Sequence, residues 1–100
     1  MFNNAMMKKA KQMQEKMKEA QEEISKLETE GSSGGVTVIM IAGKNIQEVN
    51  VSENVFDQKD KSLLEKFIKE AVNDAAEKAD KITSKKMKKV TGGMKIPGLF

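Results

Sequence analysis

Residues 31–51 read GSSGGVTVIMIAGKNIQEVNV, and the fold turns on what this central stretch becomes. VTVIMIAG (36–43) is rich in β-branched residues, and IQEVNV (46–51) alternates with period two. The pair predicts a hairpin joined through Gly43, Lys44 and Asn45. Val36, Val38 and Met40 then line one face, and Thr37, Ile39 and Ile41 the other. With both faces this apolar, two layers must cover the sheet. One helix per chain is too little for that, which argues for a homodimer. GSSGG lacks the Gly-Lys-Ser/Thr of a phosphate loop and leads into a strand, so it reads as a turn. A third short strand around Thr29 to Ser33 is left open by the pattern.

Working outward, MMKKAKQMQEKMKEAQEEISKL (6–27) carries Met6, Ala10, Met13, Met17, Ala20, Ile24 and Leu27 at alternating spacings of four and three. This heptad seam predicts a long helix, narrow enough to pack against one other helix. On the other side, Asp57, Asp60 and a Ser62-x-x-Glu65 capping box precede an apolar side of Leu64, Phe67, Ile68, Ala71, Val72, Ala75, Ala76, Ala79, Ile82 and Val90. Gly92-Gly93, with Pro97 beyond, marks the stop. Asp57 and Asp60, three apart before an apolar run, read as helix-start residues and not as a metal site. The reading is one domain over residues 1–100: a helix over about 4–28, strands over about 29–51, a helix over about 57–91 and a flexible tail over 92–100.

Composition narrows the chemistry. Of 100 residues, 38% are hydrophobic and 33% charged, and the aromatics are Phe2, Phe56, Phe67 and Phe100. So thin a supply makes a meagre monomer core and again favours self-association. The chain has no His, Cys, Tyr, Trp or Arg, which removes histidine- and cysteine-based catalysis, thiolate metal sites and disulfides; no enzyme activity and no cofactor are expected. The longest apolar run is far below the roughly 18 residues of a membrane span, and lysines stand where a signal peptide needs an apolar core. A soluble, cytoplasmic protein is expected.

Charge is polarised along the chain. Residues 1–14 sum to +3, residues 15–80 to −6 and residues 81–100 to +6. Lys88 and Lys89 alone would suit the negative end of a helix dipole, but that attraction fades within the last turn, and the cluster begins at Lys81. Lys8, Lys9 and Lys11 are the sharper signal, because a helix N-terminus disfavours cations. At 100° per residue, Lys78, Lys81, Lys85, Lys88 and Lys89 flank the apolar side, and Lys86 falls near its middle. The first helix runs toward the sheet and the second away from it, so both basic ends lie remote from the sheet. Helices of about 33 and 48 Å exceed the roughly 13 Å radius of gyration of a compact domain this long, so they should project as lysine-tipped arms. Lys8, Lys9, Lys11, Lys81, Lys85, Lys86, Lys88 and Lys89 are the candidate phosphate-binding residues, with double-stranded DNA as the partner. Every basic residue is Lys, which favours point-charge contact over bidentate base reading and hence low sequence specificity.

MKKAKQMQEKMKEAQEEISKLETEGSSGG, VNVSENVF, LLEKFIKEAVNDAAEKADK and TGGMKIPGLF together resemble, nearly end to end, the YbaB/EbfC family of bacterial nucleoid-associated proteins. Asn73-Asp74-Ala75-Ala76, Gly92-Gly93 and Pro97-Gly98 make the match specific. The resemblance implies an α+β, α-β(3)-α fold with three strands, a tight tweezers-shaped homodimer, and DNA binding that alters DNA conformation in the nucleoid. The lysine assignments come from charge placement and not from the family. The rival reading is a helical protein–protein interaction module whose Met-rich seam grips a partner chain while naked DNA is ignored. A membrane-surface helix fits poorly, since acids match lysines along the first helix.

Overall fold

A computed structural model describes residues 4–91. The order is α1 (Asn4–Ser25), β1 (Glu28–Ser33), β2 (Val36–Ile41), β3 (Asn45–Val51), a short α2 (Glu53–Asp57) and α3 (Lys61–Thr91). The three strands form an antiparallel sheet in the order β1-β2-β3, which makes the fold α-β(3)-α in the α+β class. Gly92-Gly93, Pro97 and the expected tail lie outside the described residues.

The inner face of the sheet is where the core forms. Val36, Val38 and Met40 are buried against Ala71 and Ala75 of α3, with Leu64, Phe67, Ile68, Val72 and Ala76 packed around them. Alanines on α3 let its backbone lie close to the sheet, and Gly31 of β1 completes that approach. A Cβ there would run into the Ala71 carbonyl oxygen and the Ala75 amide nitrogen. This corrects the reading of GSSGG as a turn. Gly31, Ser32 and Ser33 extend β1, and only Gly34-Gly35 turn, both with positive φ.

The edge of β1 is sealed by polar groups of α3. Thr29 Oγ1 donates to the Ala75 carbonyl (2.9 Å), the Ser32 N–H donates to Asp74 Oδ2 (3.1 Å), and Lys78 Nζ donates to the Glu30 carbonyl (2.9 Å). Glu30 and Ser32 stand two apart, so their backbone groups face the same side, away from β2. Covering an edge in this way prevents adventitious strand pairing.

Other boundaries also differ from expectation. The first helix ends at Ser25 and not near residue 28, tightening through i→i−3 bonds from Lys26 and Leu27 to the Glu23 and Ile24 carbonyls. The β2–β3 turn has Ala42 and Gly43 as its central residues (φ 59° and 65°), with the Lys44 N–H bonded to the Ile41 carbonyl, one residue earlier than the hairpin reading placed it. Met40 pairs with Ile46 and Ile39 with Glu48, so Gln47 is bulged, and Ile46, Val49 and Val51 all fall on the inner face. The expected helix from residue 57 is two helices. Ser52 caps α2, Lys59 takes a left-handed φ of 53°, and Asp60 starts α3 by accepting the Leu63 N–H on Oδ1 (3.1 Å). With Asp60 as N-cap, Ser62 sits inside the first turn and cannot serve as the capping-box residue.

The expected two layers over the sheet are absent from the single chain. Helix α3 packs on β1 and β2 while every residue of β3 is exposed, and Ile39 and Ile41 on the outer face are half-buried. Beyond the sheet, the second half of α3 pairs with α1, and the chain extends 69 × 20 × 15 Å with a radius of gyration of 19.2 Å.

Candidate nucleic-acid interface

The arm is a two-helix hairpin. From Met13 to Leu27 the heptad seam is used as its spacing requires: Met13, Met17, Ile24 and Leu27 are half-buried, and Ala20 is buried. Toward the tip, Met6 and Ala10 of the same seam are exposed. On α3, Met87 is buried and Val90 is half-buried. Two clefts open between the helices. One, of about 340 Å³, is lined by Lys16, Glu19, Glu23, Lys86 and Lys89 over Ala20 and Val90. The other, of about 390 Å³, lies nearer the tip and is lined by Lys9, Gln12, Met13, Lys16 and Val90.

The antiparallel pairing of helices therefore brings sequence-distant lysines together. Lys9 shares the outer cleft with Lys16 and Val90, and Lys86 and Lys89 share the inner one with Lys16. Lys8, Lys11, Lys85 and Lys88 are exposed on the helices beside these clefts. Lys81 stands apart. It lines a hollow with Glu28, Glu30, Lys78 and Ile82 where α3 leaves the sheet, and its charge contributes to holding the Asp74 carboxylate below its ordinary value. About 12 Å of helix separates it from Lys89, which puts it at the root of the arm and not the tip.

Lys86 is the residue whose position on the helical wheel was anomalous. Its stem lies half-buried on α1, and its Nζ donates to Glu23 Oε2 at 2.7 Å, tying the two helices. The Glu23 carboxyl is held below its ordinary range, first by that hydrogen bond, then by the Lys86 charge, with a smaller contribution from Lys89. Near the root, the Asp74 carboxyl is likewise lowered, chiefly by the Ser32 backbone N–H and then by Lys78.

Lys16 lines both clefts yet escaped the charge-cluster argument, which weighed runs of lysine without acid. A usable signal was available: Lys16 immediately precedes the seam residue Met17 and lies seven residues from Lys9, so the two share a helix face. Chemically, this constellation offers ammonium groups, the Gln12 amide and the Glu19 and Glu23 carboxylates along a groove, with no nucleophile paired to a base; its excess of ammonium groups is suited to holding an extended polyanion through phosphate contacts. No helix among the described residues is long and apolar enough to cross a membrane.

Comparisons with known proteins agree in kind. A family model described as the YbaB/EbfC DNA-binding family matches residues 1–94. A nucleoid-associated protein of Afipia carboxidovorans is 43% identical over 96 residues, covering 94% of this chain and 91% of the relative. One from Caldanaerobacter subterraneus subsp. tengcongensis is 42% identical over 99% of this chain and 92% of the relative. Another, from Alkaliphilus metalliredigens, is 40% identical over 97% of this chain and 87% of the relative.

Proposed function

The chain belongs to the YbaB/EbfC DNA-binding family, and from that premise we propose that it is a nucleoid-associated protein that grips duplex DNA between paired, lysine-lined arms and alters its conformation, with low sequence specificity. The observation that carries this reading is the convergence of Lys9, Lys16 and Lys89 on adjoining clefts of one projecting hairpin, while most of the acidic residues lie toward the sheet. Lysines neutralise phosphates by releasing condensed counterions, a contribution blind to base sequence. An acidic root repels the same polyanion and so confines it to the arms.

The grip needs two arms, and the sheet supports a two-fold partner. Ile46, Val49 and Val51 point to the core side of β3, where α3 does not reach, and are 49%, 45% and 37% exposed; Phe56 on α2 is 70% exposed. A second copy laid over this strip supplies the layer that the single chain lacks, and two-fold pairing presents two equivalent arms to one duplex.

The test is a binding isotherm on unrelated duplexes over a salt series. With about six phosphate contacts, log affinity falls against log salt with a slope near −5, nearly independent of sequence. Charge reversal at Lys9, Lys16 and Lys89 abolishes binding, whereas reversal at Lys44 and Lys59 near the sheet leaves most of it. A flat salt response, or equal damage from both sets, refutes the arm assignment.

A further inference from the structure

We propose that the Glu23 carboxylate is an intramolecular stand-in for a DNA phosphate: it sits among Lys16, Lys86 and Lys89 in the inner cleft, withholds Lys86 from the duplex, and sets affinity below what the lysines allow. The inference rests on the DNA-binding reading above and adds an affinity-limiting residue to it.

The geometry carries it. Lys61–Glu65, Lys66–Glu70 and Lys78–Asp74 are ion pairs between residues four apart on α3, with N···O distances of 3.2–3.9 Å. Lys86–Glu23 differs in kind, spanning two helices at 2.7 Å, with the lysine side chain only 31% exposed. That is the length of a charge-assisted N–H···O⁻ bond, the same contact a phosphate oxygen makes with an ammonium group. The cleft around it holds Lys16, Lys86 and Lys89 against Glu19 and Glu23, a sum of +1, so its cations are largely answered from within. Lys86 also lies where the periodicity of α3 demands an apolar residue, on the side facing α1, which is why its ammonium meets a glutamate of α1 and not solvent.

A consequence follows for counterion release. A lysine already neutralised by a carboxylate displaces no condensed counterion from a phosphate, so Lys86 contributes nothing to the salt slope of the natural protein. Removing the carboxylate frees a cation inside the groove and raises the charge of the cleft from +1 to +2. The Glu23→Gln variant keeps the side-chain shape and removes only the charge.

Fluorescence anisotropy of a labelled duplex, titrated with the full chain at several salt concentrations, reads the effect. Glu23→Gln is expected to bind several-fold more tightly, with a slope steeper by about 0.9, the increment of one added phosphate contact. Lys86→Gln alone is expected to leave the slope at the natural value, and Lys86→Gln added to Glu23→Gln to remove the gain. Glu22→Gln, the same charge change on a neighbour that does not line the cleft, controls for general repulsion and is expected to leave the slope unchanged. The inference is overturned if Glu23→Gln binds with natural affinity and slope, or if Lys86→Gln alone makes the slope shallower, since Lys86 would then already touch phosphate. Should Glu23→Gln loosen α1 in thermal melts, Glu23→Asp withdraws the carboxylate by one methylene without changing charge, and no gain in affinity there overturns the inference equally. Natural binding with no effect of Glu23→Gln sinks this inference alone; no binding by either protein at low salt sinks the DNA-binding reading and this inference with it.

Discussion

Gly31 shows how one residue decides whether the sheet and α3 can meet. Its missing Cβ is occupied by the backbone of Ala71 and Ala75, which cannot move as a flexible side chain could. Gly31→Ala is therefore expected to destabilise the fold by about 3 kcal/mol or more, measured as a lower urea midpoint at unchanged m-value. In sequence, Gly31 belongs to a run that resembles a turn, and nothing local separates a glycine needed for φ from one needed for space. Asp74 is similar: its role comes from the Ser32 N–H, 42 positions away in the chain. Its carboxyl sits below the ordinary value of 3.8 in the folded protein, so the unfolded chain binds the proton more readily. Stability from this group is present above the unfolded value and is lost as pH falls through the folded one. Urea midpoints of the natural chain should thus fall below about pH 4. Asp74→Asn should flatten that acid limb and bring the neutral-pH midpoint down toward it.

Of the two long helices, α1 was the more legible and is the more weakly held. A heptad seam is a property of neighbours in sequence, so its spacing alone predicts the face that α3 covers. That face is narrow, and Ala20 on it is buried to 6% exposure. Ala20→Leu should push the helices apart at a cost of about 1–3 kcal/mol. Hydrogen exchange should locate the damage, with amides of α1 exchanging faster and those of β2 keeping their protection. Element boundaries were harder to read. Asp57, Asp60 and Ser62 are all competent caps in isolation, and the choice of Asp60 follows from the left-handed turn at Lys59 and from Ser52 starting a separate short helix. The first strand was faint because its inward positions are Thr29, Gly31 and Ser33, chosen for polar sealing and close approach to α3 and not for apolar burial.

At the scale of the molecule, the chain is elongated and leaves an apolar strip on β3 uncovered, and the proposed dimer would rest on that strip. Val49→Lys should leave the protomer folded while converting the dimer to a monomer by light scattering. Because gripping a duplex with two arms makes the second contact intramolecular, affinity for DNA should drop at least about tenfold in the same variant. A monomeric natural chain with full DNA affinity would contradict both expectations.

Periodicity and composition were sufficient for the two long helices, the apolar β2 strand, the exclusion of histidine and cysteine chemistry, and the polarity of charge, because each is set by residues close together in the chain. Tertiary structure alone decided that Lys16 joins Lys9, Lys86 and Lys89, that Lys81 stays at the root, and that Glu23 answers Lys86 across the helix pair. Those outcomes depend on which turn of α1 lies opposite which turn of α3. That register is set by the packing of Met13, Met17 and Ala20 against residues some seventy positions away, so no local pattern encodes it.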